Sequence, residues 1–147
     1  VGLADPQALV QAVAVKEAVH FLGMPEASVA LCQAVVYLAT APKSNALETA
    51  YLEARDDAVK SSHCKVPLSI RNAPTKLMKN LGYQQGYRYS HDYDNHYSYQ
   101  RYFPDAVPEK TYYRPSSFGF EKDIAKRLTW WQQLKERDLA ARKDSGE

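Results

Sequence analysis

The chain has 147 residues, of which 45% are hydrophobic and 24% charged, and its formal net charge at pH 7 is +2. This length and this balance are typical of one globular domain, and they exclude a disordered chain and a small scaffold held by disulfides. The charge is uneven, because residues 1–59 carry three Lys or Arg against seven Asp or Glu, whereas residues 60–147 carry sixteen against ten.

Two helices with little polar surface are predicted first. Asp5 and Pro6 suit a helix N-terminus, and this helix continues to about Leu22. The second helix, about Glu26–Ala41, is apolar nearly all round, and Pro42 stops it. Such a helix has to be covered on nearly all sides, in the centre of a bundle or between subunits. The candidate interface residues on it are Val29, Leu31, Val35, Val36, Tyr37 and Leu38.

Capping signals predict two further helices. Asn45-x-x-Glu48 resembles a capping box for a third helix with one buried face. Asn72 is expected to cap a short fourth helix that continues through Leu81. Lys43 lies before a helix N-terminus, where the helix dipole disfavours a cation. We therefore expect Lys43 to have a specific acidic or carbonyl partner.

Residues 83–115 form a long segment without regular periodicity. Nine of the eleven tyrosines fall within it, mixed with basic residues, so we expect an ordered, irregular segment that wraps over the helices. This mixture could stack the bases of single-stranded nucleic acid or bind a partner protein. Alternatively, the tyrosines pack on the helices and the arginines line the rim. The candidate contacts to DNA or a partner are Arg88, Arg101, Arg114, Tyr89 and Tyr99.

The last helix is predicted over about residues 117–142. Trp130 lies about a third of a turn from Trp131, so it is a candidate for a second contact surface or for a buried site. The predicted apolar stripe of this helix consists of Phe120, Ile124, Leu128, Trp131 and Leu134.

Few residues of the sequence suggest catalysis or metal binding. His91 and His96 enclose two aspartates and could bind a divalent ion, but we favour hydrogen bonding within the tyrosine-rich segment. His63 and Cys64 resemble a base and a nucleophile, although adjacent residues rarely point at each other. The sequence has no P-loop, nucleophile elbow or zinc-protease motif. We therefore predict no catalytic residue, no cofactor site and no metal site in this chain.

Two sequence features bear on the cellular compartment. Cys32 and Cys64 lack the spacing of metal ligands or of a disulfide framework, which favours a reducing compartment. The chain shows no signal-peptide pattern, and its longest apolar run, residues 29–41, is too short to span a bilayer. We therefore expect a cytoplasmic protein that has no membrane partner.

Several long stretches resemble one known family. They are residues 37–46 (YLATAPKSNA), 66–79 (VPLSIRNAPTKLMK), 86–92 (GYRYSHD) and 102–104 (YFP). They are similar to motifs of the replication-associated recombination protein A group, also called MgsA-type. Its members are AAA+ ATPases related to clamp loaders, with eukaryotic relatives that interact with the Werner helicase. The resemblance extends from about Asp5 to Trp131.

The resemblance implies an all-α helical bundle of the clamp-loader collar type, a single domain over residues 1–147. Its parts would be a helical core at about 5–82, the tyrosine-rich segment at about 83–115 and the C-terminal helix. The chain would be a fragment of a longer ATPase, whose missing core binds ATP and Mg²⁺. The family motifs assign structural roles to Pro42, Lys43, Ser44, Asn45, Arg71, Asn72, Pro74, Thr75 and Lys76.

The resemblance also implies a biological setting. This region would form homotetramers of an ATPase that acts in replication, recombination and repair at stalled forks. The parent would contact DNA and single-strand-binding protein near the bacterial nucleoid. Two hypotheses remain open for this chain. The first is a self-association module, and the alternative is a platform that binds single-stranded DNA or a partner protein through residues 83–114.

Overall fold

The computed structural model describes residues 1–145, with side chains described through residue 143. No strand forms in residues 1–145, so the prediction of an all-α fold is confirmed. The helices are α1 (Gln7–Leu22), α2 (Ser28–Thr40), α3 (Ala46–Lys60), α4 (Lys76–Asn80) and α5 (Glu121–Ser145). Short 3-10 turns form at Gly2–Ala4, Leu68–Ile70, Ser90–Asp92 and Asp94–His96.

The chain divides into two compact units. The first consists of Val1–Ala54 and Tyr112–Arg127, and the second consists of Arg55–Thr111 and the chain from Leu128 onward. Helices α1 and α2 belong to the first unit, whereas α4 and most of the tyrosine-rich segment belong to the second. The single domain over residues 1–147 stays a prediction, and residues 146 and 147 lie outside the described part.

Helices α1 and α2 form an antiparallel hairpin in the first unit. The carboxylate of Asp5 accepts a hydrogen bond from the Gln7 amide at 3.0 Å, as expected of a residue that caps a helix N-terminus. Helix α1 begins at Gln7, one residue after the predicted start. The two helices pack against each other. The Tyr37 hydroxyl donates to the other Asp5 oxygen at 2.7 Å, which joins the end of α2 to the start of α1.

The junction between α2 and α3 is closed by side chains that bind the backbone. The Lys43 ammonium donates to the Leu38 carbonyl at 2.6 Å and also to the Ala41 carbonyl. These are carbonyl partners of the kind that the helix dipole predicts for this lysine. The Ala46 amide donates to the Ser44 hydroxyl at 3.2 Å, so Ser44 provides a side-chain acceptor where α3 begins.

Helix α4 is shorter than predicted, and the assignment of Asn72 as its cap is wrong. The helix covers Lys76–Asn80, and the Thr75 hydroxyl accepts a hydrogen bond from the Met78 amide at 3.2 Å. Asn72 is exposed and precedes Pro74 by two residues. Proline disfavours helical geometry in the residue before it, so a helix cannot run from Asn72 through Ala73. The cap therefore falls on the first suitable hydroxyl after the proline.

The tyrosine-rich segment is irregular, as the sequence predicts, and it is held in the second unit by Asp138 of α5. The Asp138 carboxylate accepts hydrogen bonds from the Tyr99 amide at 2.8 Å, from Arg88 at 3.4 Å and from Arg142 at 2.5 Å. The Gln100 side chain joins two parts of the segment, because it accepts a hydrogen bond from the Arg88 amide and donates one to the Arg88 carbonyl. One helical carboxylate thus fixes two separate points of the segment.

The predicted apolar stripe of α5 is buried at one position. Leu134 is 8% exposed, whereas Trp131 is 40% exposed and therefore does not belong to the core. Trp130 is 43% exposed, and its ring packs edge-on against Trp131 at 4.6 Å between centroids. Both tryptophans belong to the second unit, and both present ring surface to solvent.

The buried core consists mainly of alanine. Over residues 1–143, the buried apolar side chains larger than alanine are Val15 and Leu134. Large apolar residues are instead exposed on the helix surfaces, most of all on α1 and α2. None of the helices that the structure describes combines the length and apolarity that are needed to cross a membrane.

The capping assignment is directly testable. We expect Thr75→Ala to lower the free energy of unfolding by about 1 kcal/mol, because the first turn of α4 loses its side-chain acceptor. The matched change Asn72→Ala should alter it by less than about 0.5 kcal/mol, as for an ordinary surface position. Urea unfolding of both variants measures the difference. A larger effect at Asn72 than at Thr75 would contradict the assignment.

Candidate self-association surface

The α1–α2 hairpin exposes large apolar side chains along both helices. Phe21 is 88% exposed, Val29 is 78% exposed and Leu9 is 73% exposed. A single exposed apolar residue is ordinary, whereas many of them on two neighbouring helices are typical of an interaction surface. The other large apolar residues of the hairpin that are exposed are Val10, Val13, Leu22, Met24, Leu31, Val35 and Val36. We call this group the hairpin surface.

The candidate interface residues of α2 divide into two groups. Val29, Leu31, Val35 and Val36 are exposed and belong to the hairpin surface. Tyr37 and Leu38 are half-buried. The hydroxyl of Tyr37 is engaged with Asp5, and this hydrogen bond raises the pKa of the phenol.

Helix α1 contributes positions that were not selected from the sequence. Leu9, Val10, Val13, Phe21 and Leu22 are all more than half exposed. The sequence indicates this exposure, because the polar residues of α1 are scattered and do not form one continuous polar stripe. The candidate residues chosen from the sequence lie on α2, and α1 adds a second row of exposed apolar side chains to them.

A buried carboxylate anchors the base of the hairpin. Glu121 has no exposed surface, and it accepts hydrogen bonds from the Ser44 hydroxyl at 2.8 Å, the Tyr113 hydroxyl at 3.0 Å and the Ser116 amide at 2.7 Å. Burial alone raises the pKa of Glu121, but the hydrogen bonds outweigh it and hold the pKa below the usual value of a glutamate. Burial and the same carboxylate raise the pKa of Tyr113 to about 12.

Gly119 allows the N-terminal residues to approach this anchor. The Phe120 amide donates to the Ala4 carbonyl at 2.8 Å. A Cβ atom on Gly119 would lie 1.9 Å from that same oxygen, and Gly119 has a φ of +50°, which favours glycine. Any larger residue would therefore push the chain ahead of α1 away from the start of α5.

The three candidate arginines for nucleic-acid contact are engaged within the chain. Arg88 pairs with Asp138, and its guanidinium lies 4.4 Å from the centre of the Tyr93 ring. Arg114 pairs with Glu53 at 3.1 Å.

Arg101 is satisfied by backbone carbonyls, because it donates to Phe103 at 3.3 Å and to Val107 at 2.6 Å. Each of these guanidinium groups would have to give up contacts in order to bind phosphate.

The two candidate tyrosines differ. The Tyr99 hydroxyl donates to Glu109 at 2.7 Å, and the Lys135 ammonium lies 4.3 Å from the centre of the Tyr99 ring. Burial, followed by the hydrogen bond to Glu109, raises the pKa of Tyr99. Tyr89 is 54% exposed, and its ring lies 5.0 Å from that of His91. Tyr89 is thus the more open of the two rings for stacking.

The histidine pairs take part in local contacts. The His91 and His96 rings lie 5.1 Å apart in a tilted arrangement. Within residues 1–143, no three His, Cys, Asp or Glu side chains come together as metal ligands. A ring nitrogen of His63 lies 3.6 Å from the Cys64 sulfur, so these adjacent residues do meet, on the turn that follows α3.

Comparison with known proteins gives consistent matches. The family described as MgsA AAA+ ATPase C terminal matches residues 1–132. Replication-associated recombination protein A of Escherichia coli (strain K12) is 46% identical over 131 residues, which are 88% of this chain and 29% of that protein. The protein of the same name from Haemophilus influenzae is 42% identical over 96% of this chain and 31% of its own length.

A eukaryotic relative matches as well. The ATPase WRNIP1 of Dictyostelium discoideum is 42% identical over 114 residues, which are 77% of this chain and 13% of that protein. The chain therefore spans less than a third of the length of each of these relatives.

The Glu121 anchor predicts a stability change at acidic pH. Because the native pKa lies below that of an unfolded-state glutamate, the contribution of this carboxylate is present above the unfolded-state pKa and is lost as the pH falls through the native pKa. We expect Glu121→Gln to lower the free energy of unfolding by about 2 kcal/mol at neutral pH, since charge-assisted hydrogen bonds are lost. The variant should also lose less stability than the wild type on acidification.

Urea unfolding over a series of acidic pH values measures this effect. Glu136→Gln, on an exposed part of the same helix, is the control and should change the free energy of unfolding by less than about 0.5 kcal/mol. Equal acid sensitivity of the wild type and Glu121→Gln would exclude Glu121 as the group responsible.

Proposed function

The chain belongs to the MgsA AAA+ ATPase C-terminal family, and from this premise we propose that it assembles copies of an AAA+ ATPase through the hairpin surface. In this proposal, the hairpin surface of one copy packs on that of another, and the complete assembly is a homotetramer. The chain contributes the contact between copies and no catalytic step.

The observation that carries the proposal is the exposure of α2. None of its thirteen residues is buried, although the helix is almost entirely apolar. Covering a valine or leucine side chain contributes about 1.5–3 kcal/mol before the costs of association are subtracted. A few such side chains from each copy therefore suffice to offset the entropy that two copies lose when they associate. Helix α1 adds a second row of the same kind.

The setting of the whole protein is part of the proposal. Relatives named replication-associated recombination protein A support a role in DNA replication, recombination and repair at stalled forks. The parent would hydrolyse ATP with Mg²⁺ in an ATPase core outside the matched region, stimulated by DNA. Its partners would be DNA and single-strand-binding protein, in the bacterial cytoplasm at the nucleoid.

The geometry favours this function over a nucleic-acid platform in the tyrosine-rich segment. The guanidinium groups of Arg88 and Arg114 are paired with acids, and Arg101 binds backbone carbonyls. Phosphate would have to displace those partners, whereas the hairpin surface loses only water when a second copy covers it.

We expect Val29→Asp and Val36→Asp each to reduce the solution mass of the chain toward the monomer mass of 16.6 kDa. A carboxylate that is buried without a partner at the interface costs several kcal/mol, whereas it costs little in the exposed monomer. Light scattering across a concentration range measures the mass. Val59→Asp is the matched control, because Val59 is 69% exposed but lies on α3.

Alkylation of the cysteines gives an independent readout of the same contact. Cys32 is an exposed thiol on α2, whereas Cys64 lies outside the hairpin. Association should slow alkylation of Cys32 as the protein concentration rises and leave Cys64 unchanged. A chain that stays monomeric at high micromolar concentration, with Cys32 equally reactive throughout, would refute the proposal.

A further inference from the structure

A depression of about 770 Å³ lies between α5 and the middle of the tyrosine-rich segment. Leu128, Gln132 and Lys135 recur at helical spacing, so one side of α5 forms one wall of it. Residues 97–100, 102, 103 and 109–111 contribute most of the rest. All of these residues belong to the second compact unit. The volume falls within the range of about 300–1,000 Å³ that is usual for sites of small organic ligands.

The wall of the depression includes a buried serine whose hydroxyl has no partner. Ser98 is 4% exposed, and its hydroxyl forms no hydrogen bond with any group of residues 1–143. A buried polar group of this kind is uncommon, and bound water or a ligand is the usual explanation. The hydroxyl can donate or accept, because its hydrogen rotates to suit the partner. A ligand group seated against this wall would therefore find a hydrogen-bonding partner that the chain does not use.

Aromatic rings line the same depression. Tyr102 is 60% exposed, so much of its ring is open to a ligand. Tyr97 and Phe103 are half-buried, and the Tyr97 ring packs at 5.2 Å from the ring of Trp131 on α5. Aromatic rings bind planar partners by offset or edge-on packing. We use the name tyrosine–serine pocket for the group Tyr97, Ser98, Tyr102, Phe103 and Gln132.

The charged groups that border the pocket neutralise one another. The carboxylate of Glu109 accepts hydrogen bonds from the Lys135 ammonium at 3.1 Å and from the Tyr99 hydroxyl at 2.7 Å. Burial disfavours both charges, but these hydrogen bonds prevail, so the pKa of Glu109 is lowered and the pKa of Lys135 is raised. Lys110 binds Asp57 at 2.9 Å. A charged ligand would have to displace one of these partners, whereas a neutral ligand leaves the pairs intact.

We propose that the tyrosine–serine pocket binds a neutral, planar heteroaromatic molecule of about the size of a nucleoside. The rings of Tyr102 and Phe103 would pack on its planar surface, and Ser98 and the side-chain amide of Gln132 would hydrogen-bond with its edge. The pocket lies in the second unit and the hairpin surface lies in the first, so this inference does not depend on self-association.

A free molecule fits the pocket better than a base within a nucleic-acid strand. A strand brings a phosphate with every base, and much of its affinity comes from lysines and arginines that bind those phosphates. Around the pocket, Lys135 and Lys110 bind acidic side chains, and Arg101 binds backbone carbonyls. Phosphate would compete with these contacts, whereas a neutral molecule would not.

Equilibrium dialysis of the full chain against adenosine and against riboflavin tests the proposal, because both probes are neutral and carry a planar heterocycle. We expect at least one of them to bind with a dissociation constant below about 1 mM. Its affinity should fall about tenfold in Tyr102→Ala, which removes a ring, and about fivefold in Ser98→Ala, which removes one hydrogen bond. Ser98→Ala should not lower the melting temperature, because the hydroxyl has no partner within residues 1–143.

Tyr87→Ala is the matched control, because Tyr87 is a 49% exposed tyrosine of the same unit that does not line the depression. It should bind the probe as the wild type does, and circular dichroism confirms that every variant is folded. The proposal would be overturned if neither probe binds, if Tyr87→Ala weakens binding as much as Tyr102→Ala, or if Ser98→Ala and Tyr102→Ala both bind normally. It would equally be overturned if oligothymidine binds through Tyr102 and displaces the probe.

Discussion

Glu121 places a negative charge where no water reaches it, and the first compact unit is arranged around that charge. Its carboxylate accepts hydrogen bonds from Ser44 in the junction between α2 and α3 and from Tyr113 and Ser116 ahead of α5. A buried carboxylate is tolerated only when such donors replace its hydration. The same requirement brings three parts of the chain together, so one charge organises what a larger apolar core would otherwise hold.

The small core explains why so much of the hairpin remains uncovered. Alanine fills most buried positions, which allows backbones to approach closely but removes little apolar area from water. The large aliphatic side chains of α1 and α2 are left outside that core. In the proposed assembly, a second copy of the chain covers this surface.

The second unit uses charge differently. Arg88 and Arg142 both bind Asp138, and this cluster holds the tyrosine-rich segment on α5. These two guanidinium groups are engaged within the chain and would have to leave Asp138 in order to bind a ligand. By contrast, Lys65, Lys76 and Lys79 are exposed. Arginines that are paired within the chain can be told from exposed lysines only when the partners of each side chain are known.

The sequence by itself determined the all-α class of the fold, the order of the main helices, the irregular segment and the family. Periodicity, caps and prolines act within a few residues, and the family motifs are contiguous. The cap of α4 follows from a local rule, because Pro74 excludes Asn72 and leaves Thr75. Only the tertiary structure decided that Trp131 is exposed and that the candidate arginines are internally engaged. Burial and ion pairing join residues that are distant in sequence, such as Ser44 with Glu121, and no local pattern encodes them.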